Sequence, residues 1–284
     1  MYKFLLIIIV ISILFIFSFY KIEYFNNKST NWNNLMFTEK LKLYRKSIGK
    51  NESIYADKLK VKKILKAKNI DNLFIPKTIK VLDKNSLKLD IDSLPKKCII
   101  KSSHGWNDII FINDGKIKKM IARGKTLENN INNYKIWHKK SIKSHNSNEN
   151  HYQYIEPNFF VEEYLGDNIN DYKFFCFHGE CKFFHIDFGR FKKRCRNVYD
   201  KKLNILDFNE KGLKKCDFKV ELPSNINKMI LLAEQLSKDF EFVRIDLYNI
   251  NNKIYFSEFT FVPAAGNTPF HPIKYEYEIG KYWV

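Results

Sequence analysis

The sequence predicts an α+β protein whose antiparallel sheets are covered by helices. Three features predict it. Two stretches dense in aromatic residues, 172–188 and 242–261, alternate as hairpins do, and an amphipathic stretch at 225–240 lies between them. The third is composition: 45% hydrophobic and 16% aromatic residues let a 284-residue chain bury a sizeable core. Such a length suits one large or two closely packed domains. Five cysteines (Cys98, Cys176, Cys181, Cys195, Cys216) form no CxxC pair and no zinc-finger cluster, which excludes a small disulfide-stapled scaffold and points to a reducing setting.

Residues 4–20 are an unbroken apolar run of 17 residues between Lys3 and Lys21, just long enough to cross a bilayer. A cleaved signal peptide is the alternative, yet no small-x-small site follows the run. The expectation is a single-pass transmembrane anchor at 1–20, a linker and lead-in segment at 21–50, and one folded domain at 51–284. Flanking charges barely decide the orientation. The Asn-rich stretch 26–34 has little to bury, so folding is expected to begin near Trp32. A lysine-rich helix is expected over 56–67, with Leu59, Ile64 and Leu65 on its apolar stripe. Short strands follow at 98–101 and 108–112 across the polar turn 102–107, then a helix at 126–140 and a polar loop at 141–150. Residues 159–165 read as a strand. Strands 172–177 and 182–188 flank the turn at 178–180. The 225–240 helix turns Met229, Leu232 and Leu236 inward, and strands 242–248 and 254–261 close a hairpin about Asn251 and Asn252.

The formal charge of +18 comes from 49 basic residues, only six of them arginine, spread along a chain also rich in Asn and Ile. Specific readers of bases and phosphates recruit arginine for its bidentate fork. Nucleic acid is therefore not the expected partner; anionic ligands or lipid headgroups are.

The last hairpin carries the clearest chemistry. Arg244, Asp246 and Tyr248 alternate onto one face of its first strand, and Phe256, Glu258 and Thr260 alternate on its second. Asp246 and Glu258 share a midpoint at Asn252, which sets them opposite each other at roughly 5 Å between Cβ atoms. Opposed carboxylates repel unless a cation lies between them, and hard oxygen ligands at this spacing suit Mg²⁺ carrying phosphates. On that reading, losing either acid leaves the unliganded fold at least as stable. The competing reading is a register slip that sends one acid to the far face, or two solvated edge acids. Lys101 ends an apolar strand before a turn containing Gly105, as suits a cation delivered to phosphate or a merely solvated lysine. The charges Glu162, Glu163, Asp171 and Lys173 and the turn residues Gly166 and Gly179 have equally ordinary readings.

Taken together these segments resemble the ATP-grasp enzymes, and among them the teichuronopeptide-biosynthesis (TupA-like) ATP-grasp family. The resemblance runs over residues 55–280. It rests on Ala56-Asp57-Lys58-Leu59, Lys62 and Pro76, Ile99-Ile100-Lys101 before His104-Gly105, Val161-Glu162-Glu163-Tyr164-Leu165 and the run from Asp171 to Gly179. It ends on Val243-Arg244-Ile245-Asp246-Leu247-Tyr248, Ile254 to Phe261 and Pro263-Ala264-Ala265-Gly266. The resemblance implies two α+β lobes holding ATP behind the transmembrane helix. Lys58 and Lys101 would reach the phosphates under the loop that includes His104 and Gly105. Glu162, Glu163, Tyr164 and Leu165 would read adenine, and Lys173 would line the nucleotide site. Arg190 and Arg244 would stabilise the transferred phosphoryl group. Asp246 and Glu258 would bind Mg²⁺, with Thr260 standing where the wider superfamily often has asparagine. A phosphate loop with Gly105 as its only glycine departs from the glycine-rich pattern.

Such enzymes mostly join a carboxylate to an amine through an acyl phosphate, chemistry that needs charge neutralisation and positioning more than a tuned base. The implied substrates are a small-molecule or glycan carboxylate and an amine, on a cell-surface or capsular polysaccharide or its precursor. A membrane anchor and a cytoplasmic catalytic domain fit that role. A glycan-directed phosphotransferase or glycosyltransferase-type enzyme on the same cradle is the alternative, and so is a basic, membrane-tethered binding protein without catalysis.

Overall fold

The computed structural model describes residues 32–142, 149–167, 169–189 and 194–284. The expected anchor at 1–20, most of the Asn-rich stretch and Arg190 lie outside them. In chain order the elements are helices α1 (Phe37–Ser47), α2 (Lys50–Ala56) and α3 (Lys60–Lys68), then strands β1 (Leu73–Phe74), β2 (Thr78–Leu82), β3 (Cys98–Ser102), β4 (Ile109–Asn113), β5 (Lys116–Ala122) and β6 (Lys125–Leu127). Helix α4 (Tyr134–Ile142) precedes β7 (Phe159–Glu163), β8 (Asp171–Phe177), β9 (Glu180–Phe188), β10 (Cys195–Asp200), β11 (Ile205–Leu206) and β12 (Asn209–Glu210). Helix α5 (Ile226–Ser237), β13 (Phe242–Ile250), β14 (Lys253–Thr260), β15 (Phe270–His271) and α6 (Lys274–Gly280) complete the chain.

Two sheets take all but two of these strands, β12 and β15 pairing with each other alone. A six-stranded sheet runs β2-β7-β3-β4-β5-β6 and a seven-stranded one runs β1-β14-β13-β8-β9-β10-β11. All pairings are antiparallel except β1 with β14. The smaller sheet closes its own core with Ile100, Ile110, Met120 and Val161 under Trp137 of α4. The larger sheet packs Phe174, Phe184, Ile245 and Leu247 against Met229, Leu232 and Leu236 of α5, as the helical periodicity expects. Its other face takes α1. There Phe37 meets the rings of Phe175, Phe242 and Phe270 at 5.2–6.3 Å between centroids.

Helix α1 falls within the expected lead-in segment, and two buried charges fasten it to the C-terminus. The Lys40 ammonium donates to the carbonyls of Gly280 (2.8 Å) and Trp283 (2.7 Å). Glu276 accepts from the Thr38 amide and hydroxyl at 2.8 and 2.6 Å. Neither charge is left bare in the core, which is the condition for its being there.

Four expectations are corrected. The 56–67 helix is broken at 57–59, because Asp57 caps the second piece, accepting from the Leu59 and Lys60 amides at 2.9 and 3.1 Å. The 126–140 helix begins only at Tyr134, since residues 125–127 pair with β5. Phe256 lies in the core, opposite Leu247, so it does not share a face with Glu258. Cys195 and Cys216, 21 residues apart, form a disulfide with Cα atoms 5.0 Å apart; Cys98, Cys176 and Cys181 are free and buried. The pair departs from the expectation that the cysteines are all reduced. Among the described residues no helix is long and apolar enough to cross a membrane.

Candidate active site

Two sets of charged side chains, one from each sheet, form the site. In the smaller sheet the buried Glu162 of β7 places one carboxylate oxygen on Lys101 of β3 and the other on Lys62 of α3. Burial alone would raise a carboxyl pKa and lower an ammonium pKa. The lysines outweigh burial at Glu162, which is held below the ordinary carboxylate range, and Glu162 in turn outweighs burial at Lys101, which is held above the ordinary ammonium range. Lys62 is held further by the Pro76 carbonyl at 3.0 Å.

In the larger sheet the hairpin register decides everything. From Ile250↔Lys253 to Leu247↔Phe256 the strands pair as a two-residue turn requires; then Ser257 drops out of register and Asp246 pairs with Glu258. Continued without that bulge, the ladder would oppose Asp246 to Ser257 and put Glu258 across from the buried Ile245, on the core face. The bulge therefore brings both acids to one face.

Arg244 occupies the space between the paired acids. Its guanidinium is bidentate on Asp246 (2.6 and 2.7 Å), donates to the Thr260 hydroxyl at 3.0 Å and lies 3.9 Å from Glu258. Lys173 of β8, directly across from Asp246, adds a third contact at 3.0 Å and reaches Asp171 at 3.5 Å. Burial opposes both cations, yet the surrounding carboxylates hold Arg244 and Lys173 above their ordinary ranges. The expectation that the unliganded pair is merely repulsive is thus overturned: Asp246 is a fully compensated buried anion. Glu258 is more open, its side chain 32% exposed against 2% for Asp246.

Lys58 joins the two sets. The break after α2 leaves its amide on the Ser103 carbonyl at 3.1 Å, and its ammonium donates to the Gly105 carbonyl at 2.6 Å while lying 3.4 Å from Glu258. The 102–107 turn is held from below as well. His104 is buried, with its Nε2 3.1 Å from the Ser141 carbonyl, and Asp108 accepts from the Arg123 amide and the Ser102 hydroxyl.

Other expected residues fall at the margins. Glu163 accepts from the Lys77 amide at 2.7 Å, the Tyr164 hydroxyl meets Asp167, and Leu165 is half-buried. Several participants have no role assigned from the sequence, although Lys62 and Asp171 stand in segments that bear the resemblance. Lys62 is one lysine among many on α3, and Asp171 reads as an edge charge. Glu149, beside the 3-10 turn Asn150–Tyr154, is buried, and that burial lifts its pKa to about 7 against the pull of Arg45. Arg45 also donates to the Ala265 carbonyl at 3.0 Å. It thereby holds the turn after β14, where Ala264, Ala265 and Gly266 all have positive φ.

The donor set fits Mg-ATP. Two carboxylates and a hydroxyl offer hard oxygen ligands at a place where the protein already holds a cation, and Lys58 and Lys101 bring charge to its edge. Among the described residues no group of three or more His, Cys, Asp or Glu side chains is placed to hold a metal alone.

A family model described as TupA-like ATPgrasp matches residues 36–284 of the chain. No curated protein matches it. Among solved structures, D-alanine-D-alanine ligase from Helicobacter pylori is 16% identical with a TM-score of 0.40, over 81% of this chain and 61% of its own. The Bacillus anthracis D-alanine-D-alanine ligase is 18% identical with a TM-score of 0.40, over 76% and 59%. A RiPP-associated ATP-grasp ligase from Chryseobacterium gregarium, solved with ADP and a leader and core peptide, is 15% identical with a TM-score of 0.35, over 80% and 58%. The chain thus spans about three fifths of the length of these ligases.

Proposed function

The chain belongs to the TupA-like ATP-grasp family, and from that premise we propose that it is a Mg-ATP-dependent ligase joining a carboxylate to an amine. The observation that carries this reading is Lys58, which touches the Gly105 carbonyl of one lobe's loop and lies 3.4 Å from Glu258 of the other. Nucleotide and metal held there supply an electrophilic γ-phosphorus and neutralise its charge.

The chain's own groups do the rest. Lys58 and Lys101 take the phosphate oxygens, and Glu162 keeps Lys101 from wandering. Asp246 and Glu258, with Thr260, would hold the metal. Freed from Asp246, Arg244 draws in the acceptor carboxylate, whose oxygen attacks phosphorus as the bond to ADP breaks. An amine nitrogen then attacks the acyl carbon, phosphate leaves, and one proton is released. The segment from Glu163 to Leu165 lines the adenine side.

The acceptor we propose is an acidic sugar on a cell-surface polysaccharide or its precursor, with the apolar run at 1–20 anchoring the enzyme at the membrane where such intermediates reside. ATP supply favours the cytoplasmic face. The test is product analysis with pooled sugar acids and amino acids. ADP and phosphate should appear only when both a carboxylate and an amine are present; AMP release, or turnover without an amine, would overturn the ligase reading.

A further inference from the structure

The turn that leads toward β7 places three buried polar side chains, Glu149, His151 and Tyr152, against α1, α2 and the end of β14. We propose that this turn seats the attacking amine, with the Glu149 carboxylate as counter-charge to its ammonium; this rests on the ligase reading above and deepens it.

Position is the first argument. Strand β7 runs from Phe159, opposite Ser102, to Glu163, opposite Cys98, so the segment proposed for adenine lies about 13 Å along it. The chain enters β7 at the end that holds Lys101, where the Ser103 amide donates to the Asn158 carbonyl at 2.8 Å. Residues 149–154 therefore stand at the phosphate end of the site, where the acyl phosphate forms and the amine must arrive.

The charges around the turn agree. Glu149 feels Arg45 of α1, Glu258 and Arg244 of the last hairpin and Lys58 of the link between α2 and α3, so every wall of the site contributes a charge. Tyr152 feels Glu149, Glu258 and Arg244, and also Asp108 beneath the phosphate loop.

Chemistry gives the ligand. At this end Asp57 caps α3, Asp108 holds the loop and Glu258 faces Lys58. Glu149, by contrast, weakens the fold at neutral pH: burial lifts its pKa to about 7, so its charge is carried at a cost in stability. Acids kept against stability mark functional sites. An arriving ammonium would draw that pKa back down, as a cation beside a carboxylate does, and would be held the more firmly for it. His151 adds a second polar group. Its ring is buried against Tyr152 and Phe261, at 4.2 and 6.1 Å between centroids, and its Nδ1 has no hydrogen-bond partner among the described residues. A buried polar atom left so is met by a ligand or by water. Burial and Lys58 keep this imidazole neutral, which lets a ring nitrogen accept an N–H. A carboxylate and a neutral imidazole suit an ammonium with its three donors, whereas an anionic group would meet Glu149 and Glu258 as like charges.

Hydroxylamine tests this, because it is a nucleophile without charge at neutral pH and needs no counter-charge. The full chain is given Mg-ATP, pooled sugar acids and either hydroxylamine or limiting pooled amino acids, and hydroxamate and amide are measured. Glu149→Gln should lower the ratio of amide to hydroxamate about tenfold, the loss expected for one charge-assisted contact. Glu149→Asp, which keeps the charge, should recover part of it. An unchanged ratio, whether both products persist or both fall together as a merely structural role would give, overturns the proposal and leaves the ligase reading standing. No hydroxamate from wild type would overturn the ligase reading, and this one with it.

Discussion

Asp246 illustrates how one side chain is committed to two duties. It is the buried anion that neutralises Arg244 and Lys173, so Asp246→Asn should destabilise the unliganded protein by about 3 kcal/mol, as breaking a buried ion pair does. The same variant should lose the thermal shift that Mg-ATP confers by binding the native state, both read by calorimetric melting. Glu149 makes a different forecast. Burial lifts its pKa from 4.5 to about 7, with Glu258 pushing the same way and Arg45, Lys58 and Arg244 opposing. Between those pH values the native state holds a proton the unfolded state has lost. Stability therefore falls as pH rises through that window, by roughly 3 kcal/mol at most. Glu149→Gln should flatten this part of the profile and be more stable than wild type at pH 7.5, as melting at several pH values would show. The two acids of the hairpin were legible as a pair about Asn252, but that arithmetic supposed an unbroken ladder, and it is the bulge at Ser257 that makes the pairing. Glu149 was not, since a lone acid in a polar run carries no sign of what will bury it. Glu162 was found, but its pairing with Lys62 and Lys101 requires α3 and two strands to meet, which no spacing encodes.

Among the elements, β14 is the one whose irregularity matters most. Deleting Ser257 removes the bulge but joins Glu258 to Phe256, so that Glu258 still falls opposite Asp246. The deletion variant should keep both acids on one face and still bind Mg-ATP, as Ser257→Ala should; loss of binding on deletion would show that the bulge itself is required. Nucleotide titration of the two variants checks this directly. The strands with aromatic alternation, β8, β9, β13 and β14, were legible for the reason that one of their faces is a packed core. Strand β5 was not, because three of its seven residues are lysine and half its pattern faces water. The 56–67 stretch reads as a continuous helix by periodicity, and only the Asp57 cap, together with the amide of Lys58 turned to Ser103, stops it.

Across the chain, two separate cores carry the two lobes, and the larger also takes up α1 and α6. The Cys195–Cys216 link closes a loop of 21 residues on the larger lobe. Chain-entropy reasoning gives such a closure about 3 kcal/mol, acting on the unfolded state. Cys195→Ala with Cys216→Ala should lower the melting temperature of the protein in non-reducing buffer and make it insensitive to reductant; wild type should fall to the same value when reduced. No pattern of cysteine spacing announces this pair. It exists because β10 and the strap beyond it run side by side, a non-local fact. The α+β class, by contrast, follows from local alternation summed over the chain.

Arg244 and Lys173 make the proposed metal site its own salt. Asp246 carries resident counter-ions, so on the proposed reading the entry of magnesium would be an ion exchange in which protein cations are displaced. Free Mg²⁺ has little to gain from such an exchange, while Mg²⁺ arriving on a nucleotide brings phosphates that receive the displaced cations. Magnesium chloride alone should then leave the melting temperature unmoved at concentrations where Mg-ATP raises it, and Arg244→Ala should let magnesium bind without nucleotide. Between turnovers, the protein would ignore the divalent ions around it and respond only to the loaded nucleotide.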